Sequence, residues 1–396
     1  MTNQDFILAH RHDDVRWLAL RRSPEGVDLR WCLQQIEGRQ LAEHKLPQWA
    51  ETEGLWYPPR VSMEQCSSQQ TALYKRQLAE RLLPADERES MTDLTGGLGV
   101  DFSYVAPLFH RATYVEIQSH LVDLARHNLP LLGLAHATIV TPEGLQVRPT
   151  EDHRSADLLY IDPSRRDTVG RKTVALADCS PDIIQLQDQW QEGVRYVLVK
   201  LSPMLDISEA LRQVRNVKEV HVVSVRGECK ELLLLIDPQH TAEPTFHCAD
   251  LPQGEVFRCR QSERTVGIEL GELSEGCLLF EPGSCLLKAA CQDAYAHRVG
   301  LRKLHPMSNL YVVPSSASSE SLSGRTFRVE AWGDFSKRSL SQLLGDLRQA
   351  NLSVRNFPSS VDTLRKRLRL REGGDTYLFA TTLADGRHAL LRCARC

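Results

Sequence analysis

Short apolar runs set apart by longer amphipathic ones dominate the middle of this chain. Residues 91–94, 112–116, 137–140, 158–161, 196–199 and 219–225 are each apolar over about the length of one strand, and 232–236 follows closely. Between most of them the apolar positions recur with helical spacing, at 118–128, 182–192 and 208–214. Strands and helices alternating at this interval predict a parallel sheet covered by helices on both faces. The last two strands break the rule. Only residues 226–231 separate them, too few for a helical crossover, so they are expected to run antiparallel.

On either side of this block the pattern changes. Residues 1–88 read as mainly helical, with Leu18, Leu20, Leu29, Trp31, Leu33 and Ile36 as an apolar set punctuated by Pro47, Pro58 and Pro59. A final helix is predicted from about 67 to 83, burying Ala72, Leu73, Leu78, Ala79, Leu82 and Leu83, with Lys75 inside it and Pro84 ending it. After Asp237-Pro238, short alternating runs at 255–259, 265–270 and 277–281 predict a β-rich segment, followed by helix-like residues 286–298 and then 304–313. Residues 315–323, nearly all Ser and Ala, form a linker. The remainder predicts a strand at 327–331, helices at 339–350 and 361–370, and a hairpin of 376–383 with 388–392 across Asp385-Gly386. The expected fold is α/β: a Rossmann-like seven-stranded core, a helical N-terminal region and a small α+β C-terminal domain. The expected divisions are 1–88, 89–238, 239–320 and 325–396.

Composition adds limits. With 396 residues, 42% hydrophobic and 25% charged, the chain has the make-up of an ordinary globular protein of several domains. No apolar run approaches the ~18 residues of a membrane span, and Asp5, Asp13 and Asp14 speak against a secretion signal. The eleven cysteines are scattered, which suits buried thiols in a reducing cytoplasm. Cys393 and Cys396 form the lone C-x-x-C and lack a second ligand pair, so no metal is expected. The chain carries a net charge of −3, yet in residues 325–396 Lys and Arg outnumber Asp and Glu roughly two to one. The densest run, Lys366-Arg367-Leu368-Arg369-Leu370-Arg371, is either a solvated helix face or the footprint of phosphate-backbone binding.

The candidate chemistry begins at Asp93-Leu94-Thr95-Gly96-Gly97-Leu98-Gly99-Val100-Asp101, between the first strand and a helix. Glycines there let a backbone approach a ligand closely, and a helix start offers unpaired N–H groups. Two ligands fit such a turn, a dinucleotide and S-adenosylmethionine (SAM). The dinucleotide fingerprint wants a third glycine where this chain has Phe102. Glu116, at the end of the next strand, is placed to chelate ribose hydroxyls of either one. The fourth strand ends in Asp162-Pro163, which sets a carboxylate at the edge of the sheet where ligands bind in open α/β folds.

Together with Glu116, Asp162-Pro163-Ser164-Arg165-Arg166 and Lys200-Leu201-Ser202-Pro203-Met204-Leu205-Asp206, this turn resembles motifs of bacterial class I SAM-dependent methyltransferases. The resemblance is to a group with a ferredoxin-like segment and a C-terminal THUMP-like domain, and it extends from about Ser62 to the C-terminus. It implies SAM as cofactor and, through the THUMP-like domain, RNA (tRNA or rRNA) as partner. Carried over, Asp93, Gly97 and Gly99 border the methionine part and Glu116 the ribose, with Asp101 and Asp162 in the same cofactor set. Glu143, in Thr141-Pro142-Glu143-Gly144, corresponds to the adenine contact.

The acceptor side leaves alternatives open. Asp162-Pro163-Ser164-Arg165 lacks the aromatic ring that base amino-methylases use to hold a flipped base. C5 methylation needs a thiol nucleophile, for which Cys179 and Cys229 are candidates unless both are structural. In order and spacing Lys75, Asp162, Lys200 and Glu231 (or Glu228) resemble the catalytic set of FtsJ-type ribose 2′-O-methyltransferases, where a lysine of lowered pKa removes the hydroxyl proton. Arg165 and Arg166 suit an acceptor's phosphate or carboxylate, or else pair with Asp162 or Asp167. Lys366, Arg367 and Arg369 are the expected RNA contacts. A non-catalytic RNA-binding protein and a small-molecule methyltransferase are the rival readings.

Overall fold

The computed structural model describes residues 1–140, 156–165, 176, 179–190, 193–315 and 322–396. They form two compact units, residues 1–219 with 231–242, and residues 220–230 with 243–396.

The first unit opens with six helices, α1 (Asn3–His10), α2 (Val15–Ala19), α3 (Leu29–Lys45), α4 (Pro47–Glu51), α5 (Arg60–Gln65) and α6 (Gln69–Leu82). Their starts follow local chemistry: the side chains of Thr2, Asp14, Asp28 and Ser68 each accept a backbone N–H of the first turn of α1, α2, α3 and α6. One end of α3 packs Cys32 and Ile36 with Phe6 and Leu18. Its other end packs Ala42 and Leu46 with Trp49, Tyr57 and Ala72. Leu20, expected in this core, is 87% exposed, because α2 ends one residue before it. On α6 the buried positions are Thr71, Ala72, Lys75, Leu78 and Ala79, a stripe at three- and four-residue spacing with a lysine in its middle. Leu73 and Leu82 are only half-buried.

The sheet begins with β1 (Ser90–Asp93), followed by α7 (Val100–Val105), β2 (Arg111–Val115), α8 (Ser119–Leu131), β3 (Thr138–Val140) and β4 (Leu158–Ile161). A two-residue bridge pairs β5 (Ser164–Arg165) with β6 (Cys179–Ser180). Then come α9 (Ile183–Trp190), β7 (Tyr196–Leu201), α10 (Ile207–Gln213), β8 (Val217–Val225) and β9 (Glu228–Ile236). The sheet has nine strands in the order β3-β2-β1-β4-β7-β9-β8-β10-β11, the last two being β10 (Thr245–Leu251) and β11 (Gly254–Arg260). The pairs from β3 to β7 are parallel, and β9 runs antiparallel to β7. The expected seven strands and their antiparallel entry are therefore present, with β10 and β11 added beyond β8. Arg226 and Gly227, both with positive φ (52° and 78°), make the two-residue turn from β8 to β9.

In the second unit β10 (Thr245–Leu251) and β11 (Gly254–Arg260) form a hairpin. β12 (Leu278–Pro282), α11 (Ser284–Lys288), α12 (Gln292–Arg298), β13 (Arg302–Lys303), β14 (Tyr311–Val313), β15 (Gly324–Gly333), α13 (Lys337–Leu344), β16 (Asn351–Arg355), α14 (Val361–Leu368), β17 (Thr376–Thr382) and β18 (His388–Arg395) follow. The seven-stranded sheet has the order β13-β14-β12-β15-β18-β17-β16.

Four local expectations are corrected. Residues 265–270 contribute one isolated bridge at Leu270 and no strand. The helix expected over 286–298 is split in two by Ala290, whose φ is 52°. The segment 304–313 holds the strand β14. The helix expected over 339–350 ends at Leu344, before Gly345 at φ 48°, and the chain re-enters the sheet as β16. Most of the linker, 316–321, lies outside the described residues. No helix among the described residues is long and apolar enough to cross a membrane.

Candidate active site

At the carboxyl edge of the first sheet lies a cleft of about 640 Å³, within the range of ligand pockets. The turn after β1 forms its floor. Thr95 ties that turn down on two sides: its N–H donates to Asp93 Oδ1 (2.9 Å), and its Oγ1 accepts the N–H of Asp162 (2.6 Å) at the end of β4. The Tyr114 hydroxyl donates to the Gly97 carbonyl (2.5 Å). A Cβ on Gly96 would stand 2.2 Å from the Tyr114 ring, so only glycine lets the turn lie against β2. Gly97 and Gly99 have φ of +58° and +75°, the left-handed region. Gly96→Ala is accordingly expected to displace the ring or the turn, costing about 1–3 kcal/mol and most of the affinity for a ligand bound here. Calorimetric ligand titration beside thermal unfolding measures both.

The helix start does not present all its amides freely. Gly97 N–H donates to Glu116 Oε2 and Gln118 N–H to Glu116 Oε1, both at 2.8 Å. Glu116 is thereby fixed at the tip of β2 with lone pairs left for a ligand's hydroxyls. Asp93, Asp101, Glu116 and Asp162 all line the cleft, and no Lys or Arg is among its described lining residues. An anionic pyrophosphate would face four acidic side chains and a Gly97 amide already taken. The same walls suit SAM, whose sulfonium and ammonium are cationic and whose ribose offers hydroxyls. The donor set fits SAM and does not fit a dinucleotide.

Behind the cleft runs a chain of alternating charge. Lys75, with no exposed surface, reaches Glu231 Oε2 at 2.8 Å and Asp101 Oδ1 at 3.0 Å. Asp101 Oδ2 accepts the hydroxyls of Ser67 and Tyr160, each at 2.7 Å, and lies 3.9 Å from Lys200 Nζ. Lys200 in turn reaches Asp162 Oδ2 at 2.5 Å. Burial works to raise the Asp101 carboxyl, but the Lys75 and Lys200 cations with the two hydroxyls bring it down to about 2. Burial alone would depress Lys200, yet the carboxylates of Asp162, Asp101 and Glu231 hold it above the ordinary lysine value. That direction is opposite to what a lysine base requires. Glu231 is raised by its burial, and its Oε1 has no hydrogen-bond partner.

The structure thus brings Lys75, Asp162, Lys200 and Glu231 into one network, but of the four only Asp162 lines the cleft. Lys75 and Glu231 are 0% and 2% exposed, out of reach of an acceptor, because their helix and strand point them into the core. Glu228, the other candidate, is exposed and pairs with Lys230 at 2.7 Å. Cys179 is buried. Arg165 enters the β5–β6 bridge through its backbone, whereas Glu143 and Arg166 lie outside the described residues. In the second unit Lys366, Arg367 and Arg369 are exposed around the last turn of α14, over a face that buries Leu364 and Leu368.

Two contributors were missed by sequence reasoning. Ser67 falls just outside α6 because Ser68 is its cap, which frees Ser67 to hold Asp101. Tyr160 read as a core residue of β4, and its hydroxyl is what distinguishes it. A signal existed for Ser67 in the Ser68-Gln69-Gln70-Thr71 cap; none existed for Tyr160.

Residues 324–395 match the family model of a THUMP-like domain, and residues 278–318 that of a ferredoxin-like domain. An uncharacterised S-adenosylmethionine-dependent methyltransferase of Mycobacterium tuberculosis is 26% identical over 365 residues, covering 90% of this chain and 93% of its own. The crystal structure of a protein provisionally assigned as a methyltransferase, from Porphyromonas gingivalis W83, is 33% identical. It covers 99% of this chain and 97% of its own, with a TM-score of 0.83.

Proposed function

The chain belongs to the SAM-dependent methyltransferases that carry a ferredoxin-like segment and a THUMP-like domain, and from that premise we propose that it methylates RNA. The donor supplies a methyl group on a sulfonium, an electrophile that needs only a nucleophile in line with it. What remains for the protein is to hold the acceptor and take its proton.

The observation that carries the reading is Asp162. Its carboxylate opens to the cleft at the end of β4, one oxygen bound by Lys200, its backbone pinned by Thr95. Asp162 is the group that accepts a hydrogen bond, and then the proton, from the acceptor. Lys200 remains a cation that aims this carboxylate. Lys75, Asp101 and Glu231 are positioning residues behind it. This assignment departs from the lysine-base route of ribose 2′-O-methylation.

RNA as the acceptor is supported by the basic surface of α14 and by the THUMP-like match. Reversing its charge (Lys366→Glu, Arg367→Glu, Arg369→Glu) is expected to weaken binding of tRNA or rRNA at least about tenfold. It should also flatten the dependence of log affinity on log salt by about 3, one for each phosphate that no longer meets a cation. SAM affinity should not change. Filter binding across a salt series tests this; an unaltered slope would return the run to the status of a solvated helix face.

A further inference from the structure

Among the described residues, the cleft holds more acidic groups than lysines to answer them. Asp93 is 1% exposed and stands at the turn with Oδ1 bound by the N–H and hydroxyl of Thr95 (2.9 and 3.3 Å). Every element around it brings an acid or a phenol. Asp101 comes from α7, Tyr160 and Asp162 from β4 and its end, Tyr114 and Glu116 from β2 and its end. His120 of α8 also lines the cleft. Among the described residues, the lysines of the region, on α6 and β7, are engaged by Asp101, Glu231 and Asp162. A buried carboxylate in such company carries a proton unless a cation arrives.

We propose that the Asp93 carboxyl is protonated in the empty cleft and gives up its proton when a cationic donor binds, so that donor binding is coupled to proton release. The proposal rests on the reading of this cleft as the SAM site and adds a selectivity to it: the cleft distinguishes ligands by charge. Burial, with Asp101 and Asp162 adding to it against the Thr95 hydrogen bonds, pushes Asp93 up to about 8. The sign follows. Below that value binding must first remove the proton, so affinity rises with pH up to it. A neutral ligand of the same nucleoside has no cation to exchange for the proton.

The test is isothermal titration of the full chain with SAM and with 5′-methylthioadenosine, which is uncharged, in buffers of different ionisation enthalpy. SAM should release close to one proton near pH 6.5 and bind about tenfold more tightly at pH 7 than at pH 6, a range in which its own α-ammonium stays protonated. Methylthioadenosine should do neither. Asp93→Asn keeps an oxygen for the Thr95 N–H, and it should remove the proton release and the pH slope for SAM while thermal unfolding shows the protein folded. SAM binding without proton release, equal release with methylthioadenosine, or release unchanged in Asp93→Asn would each overturn the proposal and leave the SAM site standing. No SAM binding at any pH would overturn both.

Discussion

Replacing Lys75 with methionine is expected to cost about 3–5 kcal/mol, the largest stability loss of any single charged residue in the first unit. The reason is what it leaves behind. Asp101 and Glu231 are 8% and 2% exposed, and both now receive the Lys75 ammonium. Removing one partner of a buried ion pair strands the other charges, which costs far more than the pair itself contributes. A solvated lysine would move stability by only about 0.5 kcal/mol. Lys75→Met combined with Glu231→Leu should lose less than the sum of the two single changes, since the second removes a stranded carboxylate. Denaturant unfolding of the four proteins measures this coupling. The pH dependence follows from Asp101. Its folded value, about 2, lies below the ordinary ~3.9, so its contribution is fully present above ~4 and is lost as pH falls toward 2. In Lys75→Met that acid-side loss should shrink, because much of what holds Asp101 down has gone.

Replacing Asp162 with asparagine is expected to lower turnover about 10²–10⁴-fold, the range for a positioned proton acceptor, while SAM affinity changes little. The change falls on kcat because the contacts proposed for the donor, the glycine turn and Glu116, are untouched. Lys200→Met should also lower kcat, through loss of aim. Its effect should shrink when measured in Asp162→Asn, since both act through one group. At saturating SAM, the kcat profile should lack an ascending limb set by a lysine, because Lys200 is held in its charged form throughout. Rapid-quench turnover of these variants against pH separates an aiming cation from a lysine base.

The core was legible because its strands are short, apolar and evenly spaced, and because a six-residue gap forced the final antiparallel pair. The cleft floor was legible in Gly96, against which the Tyr114 ring lies, and in Gly97 and Gly99, whose conformations few other residues adopt. The network behind it was only half legible. Order and spacing selected Lys75, Asp162, Lys200 and Glu231, but not which of them face the ligand, since depth depends on how α6 and β9 pack. Asp101 is the hub of that network as well as a residue of the cleft wall, and its position just after a glycine turn suggested only the second of these. In the second unit, the run 265–270 carried strand-like alternation but pairs with Lys303 in a single bridge at Leu270, and Ala290 and Gly345 broke helices whose apolar spacing continued past them. Those breaks are set by backbone angles that the apolar pattern does not encode.

The central claim is that the cleft between the glycine turn and Asp162 delivers methyl groups to RNA. Its most direct test is to incubate the full chain with methyl-labelled SAM and a mixture of tRNA, rRNA and the small-molecule extract of the same cells, then digest the RNA and analyse its nucleosides by mass spectrometry. The account predicts label in a defined RNA nucleoside, abolished by Asp162→Asn and weakened by charge reversal at Lys366, Arg367 and Arg369. Label confined to the small-molecule fraction, with SAM bound and RNA unmodified, would contradict it.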